Sequence, residues 1–254
     1  MVPVRPDRRR GAADAAICPV VLRARRRAAR GWAAALAATL TRVVLVLLLC
    51  LAAPLAGAWQ PEQWMAMAQK AGPRPQALAK ALADLIVRVS ALDEASRLKP
   101  INQFFDRNIR YAEDIDTWGV PDYWASPLEL LTKGQGDCED YVIAKYFSLI
   151  AAGVPSDKLR LVYVRAQIGG AGGTVQPHMV LAYYAEPTAD PLILDSLIID
   201  IFPASKRPDL IPVFSFNAEG LWQGVGGTTS AGDPVARLSR WRDVLRKAHE
   251  EGWW

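Results

Sequence analysis

Beyond residue 58, apolar positions recur at helical spacing through the first half of the chain and alternate through the second. Residues 59–72 read as a short helix closed by Gly72-Pro73. Leu78, Leu82, Leu85, Ile86 and Val89 share one face of a longer helix over 76–91, and Ile101, Phe104, Phe105 and Ile109 share one face of a third over 99–109. Tyr141, Ile143, Ala144, Phe147, Leu149 and Ile150 give a broad apolar face to a helix over 141–152, which Gly153-Val-Pro155 stops. From residue 159 the period drops toward two. Strands are expected over 159–166, 178–184, 191–195, 198–202 and 211–217, the second and third joined as an antiparallel hairpin. A last helix over 235–249 carries basic residues on its exposed side. Helices followed by an antiparallel sheet make an α+β domain.

Two segments fit neither period. The first, residues 110–127, is a loop rich in aromatics and acids: Tyr111, Asp114, Asp116, Trp118, Asp122, Tyr123 and Trp124. It is either a packed surface loop or one wall of a groove, since long structured loops often carry function. The second is the turn Gly134-Gln-Gly-Asp-Cys-Glu-Asp-Tyr141, which leads into the helix over 141–152. Gly134 and Gly136 let the chain turn sharply, and Asp137 is placed to cap the helix with its carboxylate. Cys138 then sits on the first turn, where the positive end of the helix favours a thiolate.

The first 58 residues look unlike the rest. A basic stretch leads to the apolar run Val43-Val-Leu-Val-Leu-Leu-Leu-Cys-Leu51 and a small-residue end at Ala58, which reads as a secretory signal peptide over 1–58 followed by one domain over 59–254. The apolar run is about half of the ~20 residues a spanning helix requires, which favours removal over a retained anchor. The leader holds ten Arg and two Asp, leaving 20 basic against 24 acidic residues in the domain. The overall charge of +4 therefore belongs to the leader and gives no argument for nucleic acid binding. Cys18 and Cys50 also lie in the leader, so the domain keeps one cysteine, Cys138, and no internal disulfide. A single thiol in an oxidising compartment is a candidate reactive group.

A cysteine nucleophile needs a base, and the domain offers two histidines. His249 falls in a charged C-terminal helix and reads as a surface residue. His178 is expected to open a strand and is the credible partner for Cys138. Orienting its ring calls for a carboxylate. Asp195, at the end of the neighbouring strand, is the first choice, with Asp190 and Asp200 as fallbacks. The acids around the thiol leave two readings open. Asp137, Glu139 and Asp140 either cap the helix or hold a divalent cation, for which hard oxygens would suit calcium.

The order Cys, His, Asp, together with Phe104-Phe-Asp-Arg-Asn-Ile-Arg-Tyr111, Asp122-Tyr-Trp-Ala-Ser-Pro127, Gly134–Phe147, His178-Met-Val-Leu181 and Leu194-Asp-Ser-Leu197, resembles the bacterial transglutaminase-like cysteine proteinases of the LapG type. The resemblance implies a papain-like, transglutaminase-like core with Cys138, His178 and Asp195 as triad. It also implies calcium at Asp137, Glu139 and Asp140, with no organic cofactor. It implies a periplasmic protease that cuts the N-terminal region of a large adhesin. An inner-membrane cyclic-di-GMP receptor would sequester the protease, with its contact expected at an exposed aromatic loop around Trp118–Trp124. A transglutaminase or amidase with the same triad, and a non-catalytic binding module, are the competing readings.

Overall fold

The computed structural model describes residues 59–170, 172–224 and 232–254, so the leader and its cleavage point lie outside the described residues. Three helices open the domain: α1 (Pro61–Ala71), α2 (Pro73–Ser90) and α3 (Glu94–Asn108). The apolar spacing of α2 and α3 is used as expected, with Leu82, Ile86, Val89, Ile101 and Phe105 buried. Both helices begin earlier than the apolar period alone suggests. Proline supplies the first turn of α2, and the Asp93 carboxylate accepts from the Ser96 N–H to start α3.

The segment over 110–127 is more ordered than a loop. It contains the two-residue strand β1 (Arg110–Tyr111) and the short helix α4 (Asp114–Trp118). Helix α5 (Pro127–Lys133) follows, opened by a reciprocal capping box between Ser126 and Glu129 and closed by Gly134 at φ 67°. Strand β2 (Gln135–Gly136) pairs in parallel with β1, and α6 (Cys138–Ala151) starts directly after it. Helix α6 is almost wholly buried, from Asp140 to Leu149. The C-terminal turn secures this entrance. Glu251 accepts from Ser126 Oγ and from the Leu128 N–H, holding the start of α5 against the body of the domain.

The sheet is antiparallel throughout. It comprises β3 (Leu159–Ile168), β4 (Thr174–Tyr183), β5 (Leu192–Leu194), β6 (Phe202–Pro203), β7 (Leu210–Phe216) and β8 (Leu221–Gln223), in the order β6-β5-β4-β3-β7-β8. Strand β8 lacked a sequence signal. One face, with Leu161, Met179, Leu181, Leu194 and Phe216, packs on α6 and the N-terminal helices. The other gathers Val162, Val164, Val180, Ala182 and Ile193 into a smaller cluster. The α+β expectation therefore holds.

Three elements differ from expectation. The strand over 198–202 shrinks to Phe202–Pro203, because Leu197, Ile198 and Ile199 form an exposed turn instead of pairing. The final helix breaks at Leu238, where φ −112° and ψ 92° leave the helical region, giving α7 (Pro234–Arg237) and α8 (Ser239–Glu250). His178 lies within β4, not at its start, because the ladder with β3 runs on to Thr174.

Candidate active site

The site forms where the sheet loses a strand. β5 ends at Leu194, opposite Leu181, so among the described residues β4 from Thr174 to Val180 has no strand on that side. Its free edge is put to other use. The Met179 N–H is offered to the Cys138 sulphur, which places the first turn of α6 beside the residue following His178. Asp195, one residue past the end of β5, turns its Oδ1 to within 2.7 Å of His178 Nε2. Both side chains are buried. With the carboxylate ionised, Nε2 carries the proton and Nδ1 keeps the lone pair that a base requires. Burial works against the Asp195 charge. Donors from His178, the Leu197 N–H and Arg207 outweigh it and hold the carboxyl at about 2.

The chemistry around the thiol runs the other way. The Cys138 thiol donates to Glu139 Oε2 at 3.0 Å. Burial, then the negative charges of Glu139 and Asp137, push its pKa well up. Asp137 occupies the cap position of α6, but its carboxylate caps nothing, which corrects the capping expectation for that residue. Its Oδ1 is buried without a hydrogen-bond partner, as are Asp114 Oδ1 and Asp140 Oδ2. The carboxylates of Asp114, Asp137 and Asp140 bring one oxygen each to within 4.8 Å of one another. Burial, then the charges of Glu139 and Asp140, raise Asp137 to about 10, and burial, then the charges of Glu139 and Asp122, raise Asp114 to about 6. Three converging carboxylates, each with a buried oxygen that nothing among the described residues satisfies, fit a hard divalent cation. Their remaining oxygens are spoken for in part: Asp140 Oδ1 accepts from the Ala125 N–H at 2.7 Å, and Asp114 Oδ2 from the Tyr123 N–H. Gly136 is needed here, since a Cβ would lie 2.4 Å from Asp140 Oδ2.

His178 and Asp195 are thus joined directly, and Cys138 meets the same strand at the Met179 N–H, while the fallbacks Asp190 and Asp200 are exposed. Asp190 instead accepts from the Ser205 N–H. His249 is exposed, with Nδ1 against the Trp254 carbonyl. Of the three acids named for a metal, Asp137 and Asp140 share the inner cluster with Asp114. Glu139 joins a second group with Asp114 and Asp122. Asp114 and Asp122 were visible only as acids of the 110–127 segment. No spacing rule marks them, because α4 and the connection after it bring them to the turn only through tertiary packing. That segment does wall the site, but of its aromatics only Tyr111 is exposed: Trp118, Tyr123 and Trp124 are half-buried, Trp118 stacking on Tyr123 at 4.2 Å and Trp124 on Phe216 at 5.8 Å.

Residues 58–222 match the profile of the bacterial transglutaminase-like cysteine proteinases. Among solved structures, Legionella pneumophila LapG is 38% identical, with a TM-score of 0.64, covering 75% of this chain and 98% of that one. An EGTA-treated form is 39% identical with a TM-score of 0.66 over 75% and 98%. A calcium-bound form is 39% identical with a TM-score of 0.63 over 74% and 98%. Comparison with curated proteins returns no match. A thiol at the head of a buried helix, beside a histidine held by a carboxylate, is what such a proteinase requires, and with these matches the chain belongs to the bacterial transglutaminase-like cysteine proteinase family.

Proposed function

We propose that this cysteine protease is a periplasmic, calcium-dependent endopeptidase that cuts the N-terminal region of a large surface adhesin and so releases cells from a biofilm. Cys138 is the nucleophile, His178 the base and Asp195 the residue that orients it. The observation that carries the reading is the 2.7 Å His178–Asp195 bond, on the strand edge whose next amide reaches the Cys138 sulphur. His178 Nδ1 takes the thiol proton as the sulphur attacks a backbone carbonyl. It returns that proton to the leaving amine as the peptide bond breaks. A water, deprotonated by the same nitrogen, then hydrolyses the thioester and frees the thiol.

Asp114, Asp137 and Asp140 are the residues that would hold calcium, with Glu139 beside them. The ion would neutralise their charge and stiffen the turn that aims Cys138. The apolar leader supports export to the periplasm. By analogy with the LapG-type proteases, an inner-membrane cyclic-di-GMP receptor would sequester the enzyme. The test is incubation of purified protein with adhesin N-terminal fragments, in calcium or chelator, beside Cys138→Ala. Cleavage that requires both calcium and Cys138, and that leaves a new N-terminus, is expected. Crosslinks or ammonia release without a new N-terminus would replace the reading with a transglutaminase or amidase.

A further inference from the structure

The Asp195 carboxylate has two oxygens, and only Oδ1 meets His178. Oδ1 also accepts from the Leu197 N–H at 3.0 Å. Oδ2 accepts from Arg207 Nη2 at 2.7 Å, and the Asp195 carbonyl accepts from Lys145 Nζ at 3.1 Å. Lys145 is the lysine of the cysteine-bearing stretch, two helical turns below Cys138 on α6, and is fully buried. It pins the backbone of Asp195. With Oδ1 held by His178 and the Leu197 N–H, the freedom that remains is that of Oδ2.

Arg207 removes that freedom. It follows the helical turn Ala204–Lys206 and is buried, with Nε and Nη2 both donating to the Asp209 carboxylate. Asp209 fixes the guanidinium plane, and the same Nη2 reaches Asp195 Oδ2. Arg207 Nη1 is buried without an acceptor, a cost that the bonds of the other nitrogens must outweigh.

We propose that Arg207 is a positioning residue for the triad: by occupying Asp195 Oδ2 it leaves Oδ1 to hold His178 Nε2–H and so keeps Nδ1 directed at Cys138. The proposal rests on the triad reading given above. Arg207→Gln removes the charge and the fork. It is expected to lower kcat about 10–100-fold with little change in KM, as misplacement of a catalytic group does. Arg207→Lys supplies a point charge without the fork and should recover part of the loss.

The test is a double-mutant cycle of Arg207→Gln with Asp195→Ala, with calcium present. It is read both by peptide cleavage and by the rate at which iodoacetamide alkylates Cys138. The proposal expects a loss from Arg207→Gln in the parent protein and less than about a twofold further loss once Asp195 is absent. Equal fold-losses in both backgrounds, or no loss in the parent, would overturn it. If Arg207→Gln does not fold, Arg207→Lys goes through the same cycle with the same two outcomes. The triad reading fails separately, if Asp195→Ala alone leaves both rates at the parent value. If no peptide is cut while alkylation shows the coupling, the endopeptidase reading falls and the positioning role stands.

Discussion

Helix α6 carries two buried charge networks, and they are resolved in opposite ways. Around Asp195 every charge is answered: the carboxylate by Arg207 and the His178 Nε2–H, and Lys145 by Asp106 and the Asp195 carbonyl. Around Asp137 like meets like. Asp114, Asp137 and Asp140 converge, each with an orphaned oxygen, and no lysine or arginine among the described residues pairs with them. Burial penalises the charged form in both places, yet Asp195 stays ionised at about 2 while Asp137 is driven to about 10. The lesson is that the protein itself completes the first network, whereas the second is left with uncompensated acids, which the proposed calcium would neutralise.

The comparison breaks most visibly at Lys145. Lys145→Met leaves Asp106 buried without its cation, a change expected to cost about 3–5 kcal/mol. A urea melt should show this loss equally with calcium and with chelator, since the proposed ion would serve the other network. Adding Asp106→Leu should restore much of the stability, because an apolar pair of similar size needs no counter-charge.

At the acid cluster the expected effect is smaller and depends on the ion. Calcium at about 100 times its Kd should stabilise the protein by about 2.7 kcal/mol. For a domain of this size that raises Tm by about 5–10 °C. The pH dependence has a definite sign. Asp114 holds its proton to about 6 in the folded state against the usual 3.8, so the stability gained from protonation is present below 3.8 and is lost as pH rises through 6. Calcium-free protein should therefore lose stability across that window. Calcium should raise Tm more at pH 8 than at pH 5, in melts run at both.

The smallest effect sharpens the contrast. Asp114→Asn keeps an oxygen for the Tyr123 N–H but removes one repelling charge. It should raise the calcium-free stability by about 1 kcal/mol at pH 8 while abolishing most of the calcium response, both read by thermal unfolding.

How much of this was legible in the sequence follows the same division. Cys138 and His178 stood out by scarcity, and Asp195 by its place at the end of a hairpin strand. Such signals are local. The helices announced themselves by spacing because each buries one face. Arg207 carries no such signal: it lies in a polar connection, and its role exists only once β5 stops and the chain returns across the far face of the sheet. Asp114 was hidden for a similar reason, since α4 brings it to Asp137 through tertiary packing. Ile198 and Ile199 misled in the other direction. Two β-branched residues read as a strand, but strand character requires a partner edge, and β5 had already ended.

The most direct test of the account is calorimetric titration of calcium into chelator-treated protein, with Asp114→Asn and Asp106→Asn beside the parent. The account predicts saturable calcium binding in the parent and in Asp106→Asn, and binding weakened at least about tenfold in Asp114→Asn, a loss of about 1.4 kcal/mol. No heat of binding in the parent, or an unchanged Kd in Asp114→Asn, would contradict it.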